Sequence, residues 1–93
     1  SKRYLCQVEV SVVSDRQTQS GTVRNFSADG LGITGLNGFE IDYKVTVKRL
    51  VVEDITGRIQ RADEDLTGVV MYKGLIFDDP FYNLISNNKP LPQ

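Results

Sequence analysis

The chain is 93 residues long, enough for one domain with one core and too short for two. Its 40% hydrophobic and 25% charged residues are the balance of a globular domain, and no apolar run approaches the roughly 20 residues that a membrane-spanning helix needs. A net charge of −1, from 11 basic and 12 acidic residues, lacks the basic excess of a general nucleic-acid binder.

In chain order, Cys6 to Val13 alternates with the two-residue period of a half-buried strand: Cys6, Val8, Val10 and Val12 on one face, Gln7, Glu9 and Ser11 on the other. The polar stretch Ser14 to Gly21 reads as a hairpin connection, and Thr22 to Phe26 resumes as a strand. Leu31 to Thr34 is a short third strand, followed by a turn bracketed by Gly35 and Gly38. Tyr43 to Val52 is the longest β candidate. Val45 and Val47 alternate there with Lys44, Thr46 and Lys48, but Leu50-Val51-Val52 breaks the pattern, which indicates a bulge or a doubly covered stretch. Ile55-Thr56-Gly57 reads as a turn, Arg58 to Gln60 as a strand end, and Leu66 to Tyr72 and Leu75 to Phe77 as the last strands.

One segment has helical character. Asp79 suits an N-cap and Pro80 the first helical position. Phe81, Leu84 and Ile85 then form one apolar stripe, and Asn87-Asn88 and Pro90 end it. A domain over residues 1–88 and a linker or disordered tail over 89–93 follow. Many short strands with one terminal helix predict an all-β domain, a small antiparallel barrel or sandwich. The chain starts at Ser1 rather than Met and carries no signal-peptide pattern, so it reads as a trimmed chain or a domain cut from a longer protein; the expected localisation is cytoplasmic, without direct membrane insertion.

The chemistry available is narrow. Histidine is absent, which removes the commonest general base and the commonest metal ligand. Cys6 is the single cysteine; it forms no internal disulfide, fits a reducing compartment, and reads as a small apolar strand residue. Asp63-Glu64-Asp65 and Asp78-Asp79 lack calcium-loop spacing and read as a solvated loop and a helix start. The expectation is a non-enzyme without metal or cofactor. Tyr4, Phe26 and Tyr43 are scattered, which speaks against a single-stranded nucleic-acid platform.

The functional information concentrates at Asn25-x-Ser27-x-x-Gly30, a tight polar turn between two strands, and at Lys2-Arg3. The Asn25 amide offers one acceptor and two donors, and Ser27 a hydroxyl. Gly30 permits either a positive φ or a close approach of ligand to backbone. The Arg3 guanidinium can hold a phosphate by two parallel bonds or pair with guanine O6 and N7, and Arg24 adds positive potential beside the turn.

From about Arg3 to Asn87 the chain resembles the PilZ domain, the bacterial receptor module for cyclic di-GMP. The resemblance rests on the Asn25–Gly30 motif and on Lys73 to Phe77, which is similar to the family's late Gly-x-x-Phe strand. It implies a six- or seven-stranded barrel with a short C-terminal helix. It also implies an Arg-x-x-x-Arg arm folded over an Asp/Asn-x-Ser-x-x-Gly turn, whose arginines grip guanine and phosphate while the amide and Ser face a guanine. Asn25, Ser27 and Gly30 match the turn motif, and Arg3 matches the first arginine. The second arginine is replaced by Gln7, which lacks charge and fork. Losing one charge-assisted contact costs about 1.5–3 kcal/mol, roughly a ten- to hundred-fold weaker Kd. Lys2 or Arg24 can compensate; in an alternative register, Arg3 is itself the second arginine.

The ligand expected from the resemblance is therefore cyclic di-GMP, bound through Arg3, Gln7, Arg24, Asn25, Ser27 and Gly30, with other domains of a longer parent or a regulatory protein as partners and no nucleic acid. The alternative is a degenerate module that has lost the nucleotide and serves protein interaction.

Overall fold

The structure, a computed structural model, describes residues 2–87, with side chains through residue 84. Six antiparallel strands close into a barrel: β1 (Tyr4–Val13), β2 (Thr18–Phe26), β3 (Gly30–Thr34), β4 (Lys44–Lys48), β5 (Ile55–Ala62) and β6 (Thr67–Met71). The order around the barrel is β1-β2-β3-β6-β5-β4, and Val12↔Val47 pairing closes β4 onto β1. Closure leaves no exposed sheet edge, the outcome a Val- and Ile-rich chain of this size needs to avoid edge-to-edge pairing. The expected all-β barrel and the terminal helix are both present, but Pro80–Asn87 is a 3-10 helix rather than an α-helix. No helix among the described residues is long and apolar enough to cross a membrane. The tail 89–93, the expected stops at Asn88 and Pro90, and the Ile85 side chain lie outside the described residues.

The β1 periodicity sends Val10 and Val12 into the core, where they meet Val23, Leu31, Ile33, Val45, Val47, Ile59 and Val69. One end of the barrel is closed by aromatics. Phe81 stacks on Phe26 at 5.1 Å between ring centroids, Tyr82 meets Phe26 edge-on at 5.8 Å, and Tyr4 packs at 5.6 Å. Burial, with the Asp79 carboxylate and Tyr4 nearby, pushes the Tyr82 phenol above its ordinary pKa. The 3-10 helix is anchored from its start. Asp79 Oδ1 accepts from Phe81 N at 2.9 Å, as an N-cap should, and from Arg49 Nη1 at 2.7 Å. This ion pair is nearly out of solvent, with side-chain exposures of 6% for Arg49 and 7% for Asp79. The Arg49 guanidinium also lies 5.0 Å from the Phe81 ring centroid.

Four expectations are corrected. The connection predicted over Ser14 to Gly21 ends before Thr18, because Thr18 to Gly21 pair with Val13 to Val10 as the first part of β2. The strand predicted over Tyr43 to Val52 stops at Lys48, because Arg49 Nε and Nη2 donate to the Glu53 carbonyl at 3.1 and 2.8 Å and clamp the following residues into a loop. Val51 stands at its apex with φ 52°, outside any strand conformation. Ile55-Thr56-Gly57 is not a turn but the start of β5. Gly57 is required there by packing, since a Cβ would collide with the Val70 carbonyl oxygen of β6. Leu75 to Phe77 is not a strand. The β6 ladder ends at Val70↔Gly30 on one side and Met71↔Gly57 on the other, so no strand remains to pair with it.

Three bulges position the outer surface; one adds Gln60 to β5 between Ile59↔Val69 and Arg61↔Gly68. β2 carries one extra residue, Arg24, between the pairs Val23↔Ile33 and Asn25↔Gly32. Strict alternation from Val23 would turn Asn25 inward; the bulge instead makes Phe26 the next core residue and leaves Asn25 outside. β1 has its own extra residue between Leu5↔Asn25 and Val8↔Val23, in the Cys6-Gln7 stretch.

Candidate functional site

The turn from β2 to β3 is built from inside. Ser27 N donates to the Gly30 carbonyl at 2.9 Å, which makes Ala28-Asp29 a two-residue connection. The Ser27 hydroxyl is fully buried; it donates to Asp29 Oδ1 at 3.0 Å and accepts from Gly30 N at 3.1 Å. Ser27 therefore shapes the turn, with its donor and an acceptor position used within four residues. The Ala28 and Asp29 carbonyls accept from Leu75 N and Met71 N, both at 2.8 Å. Gly74 allows this approach, since a Cβ there would stand 2.9 Å from the Ala28 oxygen. The late Gly of the resemblance thus supports the turn, although its segment is not a strand.

Gly30 does not use a positive φ; the glycines that do are Gly35 and Gly38. A Cβ at Gly30 would make only ordinary contacts. Arg3 Nη1 lies 3.4 Å from where its Cβ would be. The Arg3 guanidinium reaches across from the start of β1 and grips Asn25: Nε and Nη2 both donate to Oδ1, at 2.9 and 2.7 Å. This pairing sets the orientation of the amide, because only its oxygen can face a guanidinium. The Asn25 amide lies over Gly32, within 2.7–3.0 Å of where a Cβ would stand.

The strand glycines of this outer face seat the side chains beside them: Asn25 covers Gly32, and the Arg61 Cβ lies 3.2 Å from where a Gly68 Cβ would stand. Asn25, Gly32, Gly68 and Arg61 stand in cross-strand register on β2, β3, β6 and β5. Strand spacing places the outer two roughly 14 Å apart, with two glycines between them. The neighbouring row runs Gly30, Val70, Arg58, Lys44. The result is a shallow shelf with Arg3 and Asn25 on one side and Arg58 and Arg61 on the other. Arg61 Nε pairs with Asp63 Oδ2 at 2.5 Å and Arg58 Nη1 with Asp42 Oδ1 at 3.2 Å, both solvent-exposed pairs. Such pairs are weak, so an incoming anion can redirect these guanidinia.

Of the six site residues expected from sequence, the structure brings together Arg3, Asn25, Ser27 and Gly30. Gln7 and Arg24 stand apart from the Arg3–Asn25 pair. Gln7 is an exposed residue four positions further along β1, roughly 13 Å from Arg3 at strand rise. The expected arm is strand β1 from Tyr4 onward; among the described residues, Lys2 and Arg3 lie before it. Arg24 is exposed on its bulge, and its charge is felt by the Cys6 thiol. Gly32, Gly68 and Arg61 were not singled out from sequence. The available signal was a glycine inside a strand pattern, as in Leu31-Gly32-Ile33, which marks a close approach of backbone or ligand.

The remaining nucleophile is inert. Burial raises the Cys6 thiol from its ordinary 9.0 to about 11, against the lowering influence of Arg24, and Sγ donates to the Val23 carbonyl at 3.4 Å. Alkylation by iodoacetamide should accelerate about tenfold per pH unit through pH 10, levelling only near the thiol pKa; a plateau by pH 9 would contradict this burial. A thiol harder to ionise folded than unfolded also withdraws stability as pH climbs from 9.0 toward about 11.

No family model matches the chain, and no curated protein matches it.

Proposed function

We propose that this domain binds cyclic di-GMP on the outer shelf of β2, β3 and β6, in the manner of a PilZ domain. The observation that supports this reading is the meeting of Arg3 and Asn25 at 2.7–2.9 Å on the outer face of the barrel. A guanine needs a donor fork and an amide at its edges. Arg3 donates to the Asn25 oxygen. Binding transfers the guanidinium to guanine O6 and N7 or to a phosphate, and the released Asn25 oxygen accepts from the guanine N–H groups. Ser27 and Gly30 hold the turn that carries this pair. The ligand thereby repositions the start of β1, and an attached domain or a protein partner would sense that change.

Gln7 supplies no second guanidinium, so the affinity expected is micromolar. Isothermal titration of the chain with cyclic di-GMP should give saturable heat, and Gln7→Arg should tighten binding ten- to hundred-fold. Absence of both heat and amide shift changes at high micromolar ligand would remove this reading. It would leave the protein-interaction module as the better account.

A further inference from the structure

The geometry points to a second functional surface, distinct from the nucleotide shelf and independent of it: a rigid apolar apex at one end of the barrel that docks an amphipathic segment with basic flanks from a partner protein. Among the described residues, six of the eight exposed large apolar side chains gather at this end: Leu50, Val51, Tyr72, Ile76, Phe77 and Leu84. Three are almost entirely in solvent, Leu50 at 85%, Val51 at 96% and Phe77 at 91%. They come from the β4–β5 loop, the segment between β6 and the 3-10 helix, and, for Leu84, that helix itself. Between these lies a groove of about 470 Å³ walled by Val52, Ile55, Tyr72, Leu75, Ile76 and Pro80. A smaller groove of about 180 Å³ runs on the other side of the loop, along Val8, Leu50, Val52 and Leu84.

The loop is held open rather than collapsed onto either groove. Arg49 clamps its two ends through the Glu53 carbonyl and is itself fixed by Asp79. Val51 sits at φ 52°, a left-handed conformation that a β-branched residue adopts only at a steric cost. A strained residue that presents its apolar side chain to water gains nothing for the fold, while a pre-organised apolar anchor gains affinity for a partner. Apolar patches of this kind mark interaction sites.

Charge decides the occupant. Glu9, Glu53, Asp54 and Asp78 are exposed around the patch, against Lys48 and Lys73; Arg49 and Asp79 neutralise each other. This acidic rim repels an anionic lipid surface. In a two-fold dimer it would face its own carboxylates. It favours a segment with apolar anchors and Lys or Arg beside them.

The test uses the full chain, ¹⁵N-labelled, titrated with a 14-residue helical Leu/Lys peptide, with a Leu/Glu peptide of the same apolar pattern, and with phosphatidylcholine–phosphatidylglycerol vesicles. The Leu/Lys peptide should shift amides of residues 49–54 and 72–80 saturably at micromolar concentration, and the Leu/Glu peptide and vesicles should not. Leu50→Ser should weaken the interaction at least tenfold at unchanged Tm. Val51→Gly should weaken it while raising Tm, because glycine accepts the positive φ. Several results would each overturn the proposal: equal binding of both peptides; shifts of equal size at Asp63–Asp65; vesicle binding that depends on Leu50; self-association through the patch; or Val51→Gly and Leu50→Ser binding as the parent does.

Discussion

Replacing Asp79 by Ala should lower the unfolding free energy by about 3–5 kcal/mol, the cost of leaving one partner of a buried ion pair uncompensated. Both side chains are over nine-tenths removed from solvent, and their contact is 2.7 Å. The substitution strands the Arg49 guanidinium beneath the 3-10 helix and also removes the acceptor for Phe81 N. Urea unfolding monitored by tyrosine fluorescence and circular dichroism measures the loss. Asp79→Asn separates the two contributions, since its carboxamide oxygen still caps the helix while the charge partner is gone; its cost should be smaller. The double change Arg49→Met with Asp79→Leu should recover most of the stability, because a buried pair is often exchanged for apolar packing without loss. A loss under 1 kcal/mol for Asp79→Ala would mean that water reaches Arg49 in solution.

Arg3→Ala should weaken cyclic di-GMP binding by at least ten- to hundred-fold, the consequence of deleting a charge-assisted contact worth about 1.5–3 kcal/mol. The fold should survive, because Arg3 precedes β1 and its partner is the amide of Asn25 on the barrel surface. Gly32→Val is the complementary change. Its side chain would displace the Asn25 amide that covers Gly32, and with it the group proposed to face the guanine. Binding should be lost with Arg3 intact. Arg61→Gln, on the far border of the shelf, should weaken binding less than Arg3→Ala and should reduce its salt dependence. Titration calorimetry at two salt concentrations reads all three variants; equal affinity of Arg3→Ala and the parent chain would place the ligand elsewhere.

What was legible in the sequence is what nearest neighbours encode. The β1 alternation told which valines face inward, because side chains of a strand alternate whatever it pairs with. Asp79-Pro80 announced a helix start, and the Asn25-x-Ser27-x-x-Gly30 turn was visible at a strand junction, because caps and turns are completed within a few residues. The misread segments share one property. Gly57 looked like a turn residue, and only the Val70 carbonyl of β6 explains it. Leu50-Val51-Val52 had strand propensity, yet Arg49 bonds the Glu53 carbonyl across it. Leu75 to Phe77 is apolar enough for a strand, but the barrel holds no free partner for it.

The candidate site divides in the same way. Sequence alone determined the residue types at the turn, the absence of histidine, and a glutamine at position 7 where the PilZ resemblance implies an arginine. Tertiary structure decided that the Arg24 bulge turns Asn25 outward, that Arg3 lands on it, that Ser27 points inward, and that Gly32 and Gly68 pair between Asn25 and Arg61 and seat their side chains. The reason is physical. Periodicity and capping are local properties of a chain, whereas a bulge or a strand glycine acquires its meaning from the atoms that a distant strand brings within a few ångströms.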